Sequence, residues 1–191
     1  MKKIVVYDFD GTLSYGDSME ELFNSEMHGI KAVYRCYYYF LKVLSKLKLS
    51  TVRREKEQMI KLLFHSDEQC FKSACEEQAK SYRFSPIMDR LKKDVAEGAR
   101  VIVLSASSVF FLEKVFQGMK LEILGTTFNT KEGKILGINQ HPFYYEKVDS
   151  LVKHGITEID EAYFDSKWDD CLKPMCHRWH KVKNGSVVEE K

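Results

Sequence analysis

The sequence predicts an α/β fold: a parallel sheet core with helices on both faces and an inserted all-helical cap. Three observations predict it. Residues 4–13, IVVYDFDGTL, are an apolar run closing on two aspartates one residue apart. Two further strand-like runs, 99–104 (ARVIVL) and 159–164 (IDEAYF), recur later with helical patterns between them, the alternation expected of βαβ units. Between the first and second runs, Asp17 to about Arg83 reads as helix almost throughout and contains no proline.

In chain order, Ile4, Val5 and Val6 are β-branched and Tyr7 follows, so the first run is a strand buried on both faces. Asp8 and Asp10 fall at its C-terminal end, where open α/β sheets place their ligands. Residues i and i+2 of a strand point the same way, so both carboxylates reach one site. Two like charges held close are costly unless a cation or a shared proton relieves them, which suits a hard, oxygen-ligated ion such as Mg²⁺. The alternative is an ordinary Asp-Gly turn in which Asp10 bonds its own backbone. Asp17-Ser-Met-Glu20 has the pattern of a capping box, with Asp17 or Ser18 as N-cap, and Gly29 marks a break between helices. Pro86 opens a helix through about Glu97 that closes at Gly98. The second strand ends at Ser105-Ala-Ser-Ser108, and Ser107 or Ser108 caps a helix running to about Gly118. Residues 121–139 alternate around Lys131-Glu-Gly133, a hairpin signal. Glu146 to His154 is helical, Ile159 to Phe164 is a third buried strand ending in acid at Asp165, and CHRWHKVKNGSV gives a last strand and a frayed end. The expected domains are a core of residues 1–15 and 84–191 and a cap of residues 16–83.

Composition bounds the function. With 191 residues, 44% hydrophobic and 30% charged, the chain is a globular protein with one substantial core. A net charge of +2 is too small to imply a nucleic-acid partner. Five cysteines (36, 70, 75, 171 and 176) are an odd number and fit reduced thiols, hence a cytoplasmic protein. No apolar segment follows the basic Lys2-Lys3 start, so no signal peptide is expected. No run of 18 uncharged apolar residues suggests a membrane span.

The three apolar strands finish at Asp8 and Asp10, at Ser105 and at Asp165, with Lys147 between the last two. Convergence of such groups on strand ends is the pattern of a site. In that order they resemble the haloacid dehalogenase-like phosphohydrolase superfamily, whose core is Rossmann-like. The DxDGT motif matches Asp8-Phe-Asp10-Gly11-Thr12, the serine-ended strand matches VIVLSAS with Ser105, the lysine matches Lys147, and DSxxD matches Asp165-Ser166-Lys-Trp-Asp169. Phe164 stands where the superfamily has a glycine. The resemblance spans the chain, because a helical cap between the first two motifs fits the phosphoserine phosphatase-like branch. The ending DSKWDD…CHRWHKVKNG is similar to that of bacterial phosphatidylglycerophosphatases.

The resemblance implies a phosphomonoesterase. Asp8 would be the nucleophile that forms an aspartyl-phosphate. Asp10 would protonate the leaving oxygen and then deprotonate water. Mg²⁺ would be held by Asp8, the backbone carbonyl of Asp10 and Asp165, with Asp169 orienting metal-bound water or Lys147. Ser105 and Lys147 would hold the phosphoryl oxygens, assisted by backbone around Gly11, Thr12 and Ala106. Asp17, nine residues after the nucleophile, would face the substrate at the cleft mouth. The implied partner is a small phosphorylated metabolite or a lipid head-group phosphate. A phosphotransferase passing the same aspartyl-phosphate to an alcohol, and a non-catalytic phosphate-binding scaffold, are the alternatives. The intact Asp8, Asp10, Lys147 and Asp165 argue against the scaffold, and a dehalogenase would not need Asp10.

Two other patterns stand out. Cys171, Cys176, His177 and His180 form a C-x4-C-H-x2-H spacing that departs from structural zinc sites. Residues 31–62 carry nine Lys or Arg against Glu55 and Glu57. Lys31, Arg35, Lys42 and Lys46 form one helical stripe, and Val33, Tyr37, Phe40, Leu44 and Leu47 another, widened by Tyr34, Tyr38 and Tyr39. Either these aromatics pack the cap beneath a solvated basic face, or the surface docks peripherally on an anionic membrane.

Overall fold

The computed structural model describes residues 2–29 and 33–191; Lys31 of the basic stripe lies outside the described residues. Seven strands form one sheet: β1 (Ile4–Tyr7), β2 (Arg100–Ser108), β3 (Glu122–Lys131), β4 (Lys134–Gln140), β5 (Ile159–Phe164), β6 (Cys176–Lys183) and β7 (Ser186–Glu190). Their order is β4-β3-β2-β1-β5-β6-β7. The five inner strands are parallel, while β4 and β7 pair antiparallel at the two edges. The expected parallel sheet is therefore the centre of a mixed one. The expected frayed C-terminus is instead β7, because Asn184 and Gly185, both at positive φ (50° and 73°), make the two-residue turn that returns a hairpin.

The sheet is covered on both faces. Along β1 and β2 the side chains alternate: Val5, Tyr7, Val101 and Val103 pack beneath α5 (Ile87–Ala96) and α6 (Val109–Val115). Val6, Ile102 and Leu104 face Leu151 of α7 (Tyr145–Lys153) and Leu172 of the short 3₁₀ segment Lys167–Met175. The second strand runs to Ser108, four residues beyond its apolar run, through a register shift against β3. The chain leaves β1 for β2 and β3 on one side and reaches β5 and β6 on the other, so β1 sits at the topological switch point where such sheets bind ligands.

Among the described residues, four α-helices occupy the stretch between β1 and α5: α1 (Ser18–Glu26), α2 (Tyr34–Lys46), α3 (Val52–Phe64) and α4 (Glu68–Lys80). Asp17, Thr51 and Asp67 cap α1, α3 and α4, each accepting a backbone N–H of the first turn. Entry and exit lie side by side, since Ser85 N–H donates to the Leu13 carbonyl at 2.8 Å and Ser14 bridges Phe84. The insertion shares its interior with the sheet domain: Phe71 of α4 meets Phe110 and Phe128 edge-on. Glu57 of α3 accepts the Ile138 N–H of β4 at 2.8 Å.

α2 departs from the packed reading. Its inward side chains are Tyr38 and Leu41, with Tyr38 edge-on to Phe23 and Lys42 over the Tyr38 ring. Val33, Tyr37, Phe40 and Leu47, which one of the two sequence readings packs within the cap, are exposed. The helix is apolar on two sides, and only one of them reaches α1 and α3. Among the described residues, no helix is long and apolar enough to cross a membrane.

Candidate active site

The β1 carboxyl end turns sharply over residues 9–13, where Ser14 N–H donates to the Phe9 carbonyl at 3.0 Å. Phe9 points down, edge-on against Phe111 and Phe116, which leaves Asp8 and Asp10 on the open side. Gly11 has φ +76°, and a Cβ there would lie 2.3 Å from Asp165 Oδ2. Only glycine lets the turn approach β5 so closely.

Around this turn the strand ends line a cleft of about 360 Å³ that includes Asp8, Asp10, Gly11, Asp17, Ser105, Ala106, Lys147, Asp165 and Asp169. Nine of the ten residues singled out from sequence thus share one cavity. Thr12 is the exception, and its side chain takes no part in the cleft wall. It is fully buried beneath the turn, outside the cleft wall, and its carbonyl accepts the Ser85 hydroxyl. A larger hollow of about 570 Å³, bordered by Glu21, Gln78 and Arg83, opens beside α1 and α4 and contains none of the strand-end carboxylates.

Lys147, buried on the first turns of α7, donates to Asp8 Oδ1 at 2.7 Å and also to Asp169 Oδ1. Asp169 is fixed on its other oxygen by Ser166 Oγ at 2.8 Å. Carboxylate oxygens of Asp8, Asp165 and Asp169 all lie within 4.8 Å of one another. Burial raises Asp8 well above the usual carboxylate range despite Lys147. Burial, followed by the neighbouring Asp169, pushes Asp165 up to about 6. Burial opposes the charge on Lys147, but Asp8 and Asp169 prevail and hold its ammonium protonated. Three carboxylates against one ammonium leave excess negative charge, and the donor set is all oxygen; both properties fit a hard divalent cation such as Mg²⁺.

Asp10 turns away from this trio. Ser18 N–H donates to its Oδ1 at 2.8 Å and Ser107 Oγ to its Oδ2 at 2.6 Å, so its side chain is free of the metal-binding cluster. The resemblance implied the backbone carbonyl of Asp10, not its side chain, as a metal ligand. Burial, then the charge of Asp17, pushes Asp10 up to about 7. Ser107 spends its proton on Asp10, so Ser18 Oγ, 2.7 Å away, donates to Ser107, as does Ser105 Oγ at 3.0 Å. Ser105 in turn accepts the Ser107 N–H at 3.1 Å. Asp17 does two things at once: its Oδ1 caps α1 through Glu20 N–H at 2.8 Å, and the exposed residue borders the cleft.

Sequence reasoning missed several groups. Lys56 of α3 reaches into the cleft and donates to the Ala106 carbonyl at 2.7 Å. Thr126 Oγ1 donates to the same carbonyl at 2.7 Å, so His141 Nδ1–H must donate to Thr126 at 2.9 Å. His141 is buried and kept neutral, pushed down to about 2 by burial and by the charges of Lys56 and Arg53. Phe143, Tyr144 and Trp168 form an aromatic wall, with Tyr144 at an unusual φ of 54° where it starts the helix bearing Lys147. In sequence Lys56 is one of nine cations in its segment, Phe143 and Tyr144 belong to a short Phe-Tyr-Tyr run, and Trp168 lies 24 positions beyond them. Nothing local distinguishes them.

The chain matches the family model of haloacid dehalogenase-like hydrolases over residues 5–169. No curated protein matches it in sequence. Among solved structures it is similar to a Bordetella pertussis Tohama I protein with unknown function (TM-score 0.76, 19% identity, 90% of this chain and 86% of that one). It is also similar to a phosphoserine phosphohydrolase-like protein from Francisella tularensis subsp. tularensis SCHU S4 (TM-score 0.68, 14% identity, 95% and 87%). A third similar structure is a phospho-aspartyl intermediate analogue of phosphoserine phosphatase (TM-score 0.62, 18% identity, 94% and 86%). At these identities the likeness is one of fold.

Proposed function

Because the chain belongs to the haloacid dehalogenase-like hydrolase family, we propose that it is a Mg²⁺-dependent phosphomonoester hydrolase working through an aspartyl-phosphate on Asp8. One observation carries the reading: two neighbouring aspartates have different partners. Asp8 is gripped by Lys147 within a carboxylate trio, while Asp10 is turned away from that trio and bonded by Ser18 and Ser107. A nucleophile and a general acid–base need that division.

Asp8 attacks phosphorus as the bond to the leaving oxygen breaks, and Asp10 gives that oxygen its proton. Water then attacks the phosphoryl group, Asp10 takes a proton back, and the bond to Asp8 breaks. Lys147 orients Asp8 and, with Ser105, balances charge on the phosphoryl oxygens. Asp8, Asp165 and the Asp10 carbonyl would hold the Mg²⁺, with Asp169 beside them, and the bound ion would supply charge neutralisation at the phosphoryl group.

Residues 16–83 serve as a cap over the cleft, and Asp17, Lys56 and the wall of Phe143, Tyr144 and Trp168 face the non-phosphoryl part of the substrate. That wall suits a leaving group with an apolar or ring face. Lys56 suits a second anion, as on a phosphorylated metabolite or a lipid head group.

Asp8→Asn keeps the shape and removes the nucleophile. Turnover of p-nitrophenyl phosphate with Mg²⁺ should fall to background, with the melting profile still cooperative. Mass spectrometry of the wild type quenched during turnover should find phosphate on Asp8. Substantial residual turnover by purified Asp8→Asn would exclude the covalent route.

A further inference from the structure

The outer face of α2 is a feature that the catalytic cleft does not use. Val33, Tyr37, Phe40, Val43 and Leu47 recur at helical spacing and share one stripe. All are exposed: 66% for Val33, 55% for Phe40, 51% for Val43 and 62% for Leu47, with Leu49 just beyond at 70%. The opposite side of α2 is already engaged through Tyr38 and Leu41. A helix that is apolar on both sides needs cover on both, and a contiguous exposed apolar patch marks an interaction surface.

Charge selects what covers it. From Val33 to Arg54 the chain carries Arg35, Lys42, Lys46, Lys48, Arg53 and Arg54 and not one Asp or Glu. Lys42 pairs with Glu20, and Arg53 donates to the Asn139 carbonyl of β4. Lys46 and Lys48 are exposed beside the apolar stripe. Two copies meeting through this face about a two-fold axis would bring like charges together, which disfavours a second copy of the chain. None of the stripe residues lines either of the cavities described above, so the face stands apart from the cleft. An outward stripe of aromatic and aliphatic side chains, flanked by the exposed Lys46 and Lys48 on a segment that itself carries no acid, complements a flat anionic surface.

We propose that α2 docks the protein on an anionic lipid surface, with Tyr37, Phe40 and Leu47 seated at head-group depth and Lys46 and Lys48 against the lipid phosphates. Long lysine stems let the cations reach the phosphates while the apolar side chains sink. The proposal does not depend on the phosphatase reading, because its measurement is of partition and not of turnover.

The test is co-sedimentation of the full chain with vesicles of mixed phosphatidylglycerol and phosphatidylcholine, against vesicles of phosphatidylcholine alone. The wild type should sediment with the anionic vesicles only, and less so as salt shortens the screening length from about 10 Å to about 3 Å. Tyr37→Ser with Phe40→Ser should lower the partition coefficient about tenfold or more, given the apolar area withdrawn from the lipid. Lys46→Glu with Lys48→Glu should lower it about tenfold or more through charge alone. Unchanged hydrolysis of a soluble aryl phosphate, or failing that an unchanged melting profile, verifies that both variants are folded. Three results would overturn the proposal: no association with anionic vesicles, equal association with neutral ones, or binding that ignores the loss of Tyr37 and Phe40. A dimer in analytical ultracentrifugation that Phe40→Ser dissociates would overturn it too, by assigning the face to a second copy.

Discussion

Replacing Asp165 by Asn should stabilise the metal-free protein while impairing its chemistry. Oxygens of Asp8, Asp165 and Asp169 lie within 4.8 Å of one another with Lys147 as the one bonded ammonium. At an effective dielectric constant near 20, two unit charges at that separation repel by about 3 kcal/mol. Asp165 is part-exposed, so solvent screening reduces its share to about 1–2 kcal/mol. Its titration agrees in sign, since burial and Asp169 raise it to about 6, above the ~3.9 of an unfolded chain. An acid raised in the folded state costs nothing below its unfolded value, and costs its full amount once the pH exceeds the folded value. In chelator at pH 7.5, Asp165→Asn should therefore be about 1–2 kcal/mol more stable than the wild type, or roughly 2–8 °C in Tm for a chain of this size. Below about pH 4 the difference should vanish. Added Mg²⁺ should reverse the order: at a hundredfold its dissociation constant a ligand stabilises by about 2.7 kcal/mol, and the variant has lost a ligand. Paired thermal melts in chelator and in Mg²⁺, at both pH values, read all of this. A variant less stable than the wild type in chelator at pH 7.5, or equal Mg²⁺ stabilisation of both proteins, would refute the reading of the trio as a charge-strained cation site.

Asp10→Asn should retain more turnover with p-nitrophenyl phosphate, whose leaving group hardly needs a proton, than with alkyl phosphates, and should accumulate phosphoenzyme. Equal losses on both substrates with no trapped intermediate would contradict the acid–base role. Lys56→Met should raise KM about tenfold for phosphomonoesters bearing a second anion, equivalent to about 1.4 kcal/mol, while changing p-nitrophenyl phosphate little; a uniform loss on all substrates would remove Lys56 from specificity. His141 is pushed down to about 2, against ~6.5 when unfolded, so neutral His141 resists protonation and stability is lost as pH falls below about 6.5. Between pH 7.5 and 5 the wild type should lose about 2 kcal/mol relative to His141→Gln, read from urea titrations of both; parallel losses would mean that the ring is not held neutral.

The strand ends that line the cleft were legible in the sequence because their signals are local. IVVY and VIVL are continuous apolar runs and IDEAYF ends in one, and an acid or serine directly after such a run lands at a sheet edge. The Asp8-x-Asp10-Gly11 spacing encodes a turn that only glycine allows, and the close approach of Asp165 supplies the reason. Lys147 was readable as a helix residue between two strands, although its bond to Asp8 was not.

Tertiary structure decided what depends on side chains distant in sequence. Lys56 is 50 positions from the Ala106 carbonyl it bonds, and His141 acts on that carbonyl through Thr126. Ser107 and Ser18 meet only because α1 starts above the end of β2, and that meeting sets the environment of Asp10. Thr12 carried the motif's identity yet turned inward, since alternate residues of a tight turn face opposite sides. α2 marks the limit of periodicity: its apolar residues occupy both sides of the helix, and period alone cannot choose the inner one. Only the packing of Tyr38 against Phe23 left Tyr37, Phe40 and Leu47 facing outward.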